Sequence, residues 1–258
     1  MGTVAALHGR THTMTRTLLA SSVVLCTSAI ASADPPARPS PILALPVPGF
    51  GPAAIVEPAR DGGPRPVVIA VHGNFDRPEW QCQVWDRIVE GRAFVLCPRG
   101  SARRDAPRGD PRFTFGGSAA LLREVEAGLL ALEARYPGRV APSPVVYAGY
   151  SLGAILGVDY LQRGRPVSVA VLTEDAVDRW SPSLVRTFSA RGGRGVLFGC
   201  GGLGCARVAH RVSARLRAAG IVADVAYGGP AGHVYWGPVL TALRAAYPRL
   251  AEADPRMR

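Results

Sequence analysis

The sequence contains no lysine. All 30 basic residues are arginine, and against 19 acidic residues they leave a formal net charge of +11. It also has no basic cluster: arginine is spread from end to end, with no run longer than Arg103-Arg104. A nucleic-acid binder gathers its charge on one face or tail. The excess therefore reads as a solvated arginine-rich surface rather than a site for an anionic partner, and no nucleic acid is expected. A long apolar run is missing too. Leu18 to Ile30 is too short to span a bilayer, so no stable membrane insertion is expected. No internal repeat is present. What remains is an ordinary globular composition, 48% hydrophobic and 19% charged, on 258 residues. That is enough for one domain and its core.

The first 33 residues have the three parts of a secretory signal. Arg10 and Arg16 precede the apolar run, and Ala31-Ser32-Ala33 forms a small-x-small cleavage site before Asp34. Met14 can serve as the start equally well, since Met14 to Ala33 is already a complete signal. A lipoprotein site at Cys26 is disfavoured by the bulky Leu25. The mature chain is expected to be exported, periplasmic or extracellular. Cleavage removes Cys26 and leaves Cys82, Cys97, Cys200 and Cys205. An even count in an exported chain suggests two disulfides, with three connectivities open. Nearness in sequence favours Cys82–Cys97 and Cys200–Cys205. A metal site joining the second pair to His210 lacks a fourth ligand at zinc-like spacing, and neither metal nor organic cofactor is expected.

Residues 34–52 are rich in proline and read as an extended, poorly ordered lead-in. Residues 53–250 read as one domain and 251–258 as a tail. Within the domain, apolar strand-like runs alternate with amphipathic stretches. The strands are Ala53 to Pro58 at an edge, Pro66 to Gly73, Arg92 to Pro98, Ser143 to Tyr150, Pro166 to Thr173, Gly195 to Cys200 and Ile221 to Gly228. The helices are Glu79 to Glu90, a helix capped by Ser118 and running to Tyr136, Leu152 to Gln162, Arg207 to Ala219 and Tyr235 to Tyr247. His210 falls on the solvent side of its helix. Such alternation implies a three-layer α/β sandwich around a mostly parallel sheet. Ligands then bind where loops leave the carboxyl ends of the strands.

Gly149-Tyr150-Ser151-Leu152-Gly153 stands at one such end, directly between a strand and a helix. A serine there needs a strained turn to project its hydroxyl, and small neighbours let strand and helix approach. This is the G-x-S-x-G nucleophile elbow in the context that supports it. With it, the order of elements resembles the α/β-hydrolase fold across Val67 to Tyr247. It looks most like compact bacterial esterases related to dienelactone hydrolase and the polyester depolymerases. The resemblance implies a serine hydrolase with an oxyanion loop at His72-Gly73-Asn74. Its donors would be the Asn74 and Leu152 N–H groups, with His72 itself packed for structure. It also implies a general base in the Gly-rich loop after the last strand, where His233 stands.

The catalytic acid departs from the pattern. The loop after the penultimate strand, Gly199 to His210, holds no Asp or Glu. One strand earlier, Glu174, Asp175 and Asp178 follow a strand end, and some relatives place the acid there. Glu174 comes first, with Asp175 and Asp178 as alternatives. If extended geometry persists, Glu174 and Asp175 point in opposite directions. Trp180 and Trp236 lie where they can line the mouth of a pocket. The interval from Glu174 to Arg194 leaves little room for a cap, so an open, shallow cleft is expected, partly covered by the long loop Ser101 to Gly117.

Two functions fit. One is an exported, monomeric serine hydrolase cleaving small-molecule or polymeric carboxylic esters through an acyl-enzyme. The other is a binding module on the same fold with weak or absent catalysis, motivated by the empty acid loop.

Overall fold

Alternate residues of the strand Val67–Val71 (β3) are buried on opposite faces, all five of them fully. Val67, Ile69 and Val71 join one apolar cluster, and Val68 and Ala70 the other. A strand buried on both faces belongs in the middle of a sheet covered by helices on both sides. The computed structural model describes residues 1–2, 40–59, 63–143 and 146–257. Met14, Cys26 and the 33/34 junction, on which the expected secretory signal depends, lie outside them.

The remaining strands are Leu43–Leu45 (β1), Ala53–Val56 (β2), Phe94–Cys97 (β4), Val146–Tyr150 (β7), Val169–Thr173 (β8), Gly195–Cys200 (β9) and Val222–Tyr227 (β10). Two short strands, Ser101–Ala102 (β5) and Phe113–Thr114 (β6), pair with each other in a separate ribbon. The main sheet has eight strands in the order β1-β2-β4-β3-β7-β8-β9-β10. β2 runs antiparallel to both its neighbours and every other pair is parallel.

Helices Pro78–Val89 (α1) and Pro238–Ala251 (α6) cover one face. The opposite face carries Ser118–Arg135 (α2), Leu152–Arg163 (α3), Pro182–Ala190 (α4) and Leu203–Ala218 (α5). Among the described residues no helix is long and apolar enough to cross a membrane.

The disulfides follow sequence proximity. Cys82–Cys97 joins α1 to β4, and Cys200–Cys205 joins the end of β9 to the first turn of α5.

Several local expectations need correction. Within the lead-in, Leu43–Leu45 is a strand. It extends the sheet beyond Ala53–Val56, which is therefore not the edge. Ser118 does not cap α2: Gly117 holds the cap position, with no side-chain hydrogen bond. α5 begins at Leu203 rather than Arg207. α6 begins at Pro238 rather than Tyr235, because Gly237 (φ 55°) turns the chain and a proline fits the first helical position. α4 lies in the interval after Glu174, where no helix was expected. Its signal was legible, since Ser181 accepts the Leu184 N–H and Pro182 follows it. The segment after residue 250, expected as a tail, is packed against the domain. Asp254 and Met257 are buried, and Asp254 accepts hydrogen bonds from Ser168 and Arg256.

Candidate active site

Ser151 sits between β7 and α3 with φ 49° and ψ −114°, a left-handed conformation that costs a non-glycine residue about 1–3 kcal/mol. Two backbone bonds hold it there: its N–H donates to the Thr173 carbonyl, and its own carbonyl accepts from Ile155 N–H. Gly153 permits the tight turn, since a Cβ there would lie 2.5 Å from the Val71 carbonyl oxygen. The turn leaves the Ser151 side chain partly exposed at the carboxyl edge of the sheet.

His233 arrives from the loop between β10 and α6. Its Nε2 lies 2.8 Å from Ser151 Oγ, although the two residues are 82 positions apart. Its ring is 53% exposed. The Tyr150 hydroxyl donates to the His233 carbonyl at 2.8 Å, and the two rings lie 5.3 Å apart.

Behind the imidazole is Glu174. Its Oε2 lies 3.8 Å from His233 Nδ1, longer than a hydrogen bond, and its side chain is only 6% exposed. Its other oxygen, Oε1, accepts the Gly201 N–H. Burial pushes the Glu174 carboxyl above its ordinary range, while the Gly201 N–H and His233 draw it part of the way back. The extended geometry does not persist beyond β8, because Glu174 itself has φ 66° and turns the chain. Asp175 accepts the N–H of its neighbour Ala176, and Asp178 is exposed in a 3₁₀ turn over Val177–Arg179. Of the three carboxylates, the structure brings only Glu174 to the imidazole. Gly201 belongs to the loop where the acid was missing, and it supplies a backbone donor to the carboxylate from the adjacent strand.

Asn74 follows β3. Gly73 lets this loop close on the elbow: a Cβ there would lie 2.9 Å from the Tyr150 ring and 3.3 Å from the Ser151 Cβ. Among the described residues, neither the Asn74 nor the Leu152 N–H is taken up by a protein hydrogen bond. His72 anchors the loop from below, fully buried, with Nδ1 2.7 Å from the Gly73 carbonyl and Nε2 2.9 Å from the Arg99 carbonyl.

The Ser101 to Gly117 loop borders the site through the β5–β6 ribbon. Arg103 donates to the Asn74 side-chain oxygen at 2.9 Å, and Arg103 and Arg112 lie 5.5 and 5.6 Å from the Phe75 ring. Trp180 is away from Ser151 and His233 and lines the separate cavity of about 290 Å³ beside α4 and α5. It is 2% exposed and packs edge-on against Phe188 and Phe198. Trp236 is half-buried against Tyr235. Cavities of about 380, 460 and 290 Å³ open elsewhere, and none is lined by Ser151, Glu174 or His233.

Sequence reasoning missed Asp76, Tyr150 and Tyr235 around this site. Asp76 lies four residues after His72 and Tyr235 two after His233, so their placement in the two loops was the available signal.

Solved structures share this mostly parallel, helix-flanked sheet. The chain has the α/β-hydrolase fold. It is similar to a dienelactone hydrolase-like promiscuous phosphotriesterase from metagenomic libraries, at 15% identity and TM-score 0.52, over 81% of this chain and 97% of that one. It is also similar to the Thermus thermophilus protein TT1662, at 20% identity and TM-score 0.51, over 84% and 98%. A thermostable esterase matches at 15% identity and TM-score 0.53, over 83% of this chain and 63% of that one. No family model and no curated protein matches the sequence.

Proposed function

We propose that this chain is a serine hydrolase that cleaves carboxylic esters through an acyl-enzyme, acting outside the cytoplasm as a monomer on small-molecule or polymeric esters. The observation that carries the reading is the 2.8 Å contact between Ser151 Oγ and His233 Nε2, on a backbone strained at the serine. A serine hydroxyl is a poor nucleophile until a base takes its proton. Here Ser151 attacks the ester carbonyl as His233 Nε2 accepts that proton. The Asn74 and Leu152 N–H groups hold the developing oxyanion, each such donor being worth about 3–4 kcal/mol. His233 then protonates the departing alcohol and activates the water that releases the acid. Glu174 orients the ring and offsets the imidazolium charge, and the 3.8 Å separation shortens as that charge develops. The exposed imidazole supports an open site that accepts bulky acyl groups. Two disulfides support an oxidising compartment. The carboxylate behind the imidazole removes the reason for preferring an inactive binding module.

A fluorophosphonate probe and a panel of p-nitrophenyl esters of increasing chain length test this. Wild type labels and turns over, and Ser151→Ala does neither while keeping its fold. Wild type that is folded yet neither labels nor hydrolyses any ester overturns the reading.

A further inference from the structure

Beneath the site lies a buried acidic side chain that the hydrolytic mechanism does not use. Asp76 is 4% exposed and ends the loop that carries Asn74. Its Oδ2 accepts the Gly73 N–H at 3.3 Å, and its Oδ1 accepts the Arg77 N–H at 2.8 Å. Its backbone exchanges two hydrogen bonds with Phe113 of the β5–β6 ribbon. Oδ1 also accepts, at 2.9 Å, the hydroxyl of Tyr235, a residue 159 positions away and only two past His233. Tyr235 is 5% exposed, and its ring packs edge-on against Tyr150 with centroids 4.3 Å apart. Tyr150 in turn holds the His233 carbonyl and precedes Ser151. Hydrogen bonds and two residues of chain thus link Gly73, Asp76, Tyr235, His233 and Tyr150, and the Tyr150 ring lies close enough to Gly73 that a Cβ there would come within 2.9 Å of it.

We propose that Asp76 and Tyr235 are positioning residues whose hydrogen bond fixes the spacing between the loop carrying Asn74 and the loop carrying His233. The inference rests on the hydrolase reading for its catalytic consequence, but the spacing itself is a property of the fold. A phenylalanine at 235 would fill the same apolar space against Tyr150 and Trp236. The chain instead buries a hydroxyl on a carboxylate, a bond to a charged acceptor that is shorter and stronger than a neutral one. Burial, and Asp76 beside it, hold the Tyr235 hydroxyl far above its ordinary pKa, so it stays a donor throughout the working range. His233 is half-exposed in a loop rich in glycine; Tyr150 and the Gly232 N–H bond to the Gly201 carbonyl hold one side of that loop, and the Asp76–Tyr235 bond ties it to the loop carrying Asn74. A shift of about 1 Å in a catalytic group can lower a rate by about 100-fold.

The test uses the full chain in three variants, Tyr235→Phe, Asp76→Ala and the double, read by two independent measurements. The first is hydrogen exchange followed segment by segment. Tyr235→Phe should speed exchange in both 72–76 and 229–237, the two loops the bond joins. The second is steady-state hydrolysis of p-nitrophenyl butyrate. Tyr235→Phe should lower kcat by about 10- to 100-fold and leave KM within about twofold. The double variant should be no slower than the worse single one, because both changes break one bond. Faster exchange confined to 229–237, an unchanged kcat, or losses that multiply in the double variant each overturn the proposal. If wild type proves inactive and unlabelled, the hydrolase reading fails, and the exchange comparison still decides whether the bond couples the two loops.

Discussion

Glu174→Gln removes one charge and keeps the shape of the side chain, including an oxygen that can accept the Gly201 N–H. What it removes is the attraction between the carboxylate and the imidazolium that forms on His233. At the observed 3.8 Å, that attraction is about 4 kcal/mol at an effective dielectric constant of about 20 and about 1 kcal/mol in bulk water. The carboxylate is buried but the imidazole is 53% exposed, which places the pair between those limits. We take about 2 kcal/mol, equivalent to about a 30-fold loss in kcat. Asp175→Asn and Asp178→Asn touch neither ring nor nucleophile and should stay within about twofold of wild type. The assay is steady-state hydrolysis of one p-nitrophenyl ester by all three variants. A Glu174→Gln enzyme within twofold of wild type, or a larger loss in Asp175→Asn, refutes the assignment.

The same substitution has a second signature. Burial raises the Glu174 carboxyl on folding, so the folded chain binds this proton more tightly than the unfolded one. The associated stability is complete below the unfolded pKa and lost as pH rises through the folded one. Ionised Glu174 therefore weakens the fold at neutral pH. Between about pH 4 and pH 7 the melting temperature of Glu174→Gln should gain on that of wild type. A variant that loses ground over that range contradicts the argument.

Ser151→Gly relieves the left-handed strain at the elbow and should raise stability by about 1 kcal/mol while abolishing activity; Ser151→Ala keeps the strain, so equal denaturant midpoints for the two variants would show the elbow to be unstrained. Gly153→Ala drives a Cβ to 2.5 Å from the Val71 carbonyl oxygen and 2.8 Å from the His72 carbonyl oxygen, both backbone atoms. It should cost about 3 kcal/mol or prevent soluble expression, as urea unfolding or a solubility assay would report. Replacing Cys200 and Cys205 together by serine opens the small ring that contains Gly201. Loop entropy alone predicts a loss of about 2 kcal/mol. A fall in kcat should accompany it, because Gly201 is the donor that holds Glu174; unchanged kinetics would detach the ring from the site.

The legible part of this protein was written in short-range pattern. The apolar run at Val67 to Val71 and those at β4, β8 and β9 are buried across their whole length, and β7 as far as Gly149; an unbroken run of that kind has few other ways to fold. Gly149-Tyr150-Ser151-Leu152-Gly153 was readable for the same reason, since only small residues allow the strand and helix to meet there. Where the pattern failed, the cause was local. Leu43–Leu45 sits among prolines, and its pairing with β2 outweighs their preference for an irregular chain. Trp236 looked helical until Gly237 and Pro238 were seen to start the helix after it.

The acid shows the division most clearly. Sequence order narrowed it to three carboxylates within five residues, all beyond the end of one strand. It put Glu174 first but left Asp175 and Asp178 open, because the choice turns on a single backbone angle. At φ 66° the chain bends at Glu174 and sends that side chain under the imidazole, leaving Asp175 and Asp178 to local turns and solvent. The bond from Asp76 to Tyr235 was equally out of reach, since it joins residues 159 apart. Periodicity and turn chemistry act between near neighbours, and so the sequence by itself determined the layers, the elbow and the loops that carry Asn74 and His233. Which carboxylate faces the histidine, and what holds the two loops at a fixed distance, depend on contacts that exist only after the sheet has closed. Those were decided by the tertiary structure.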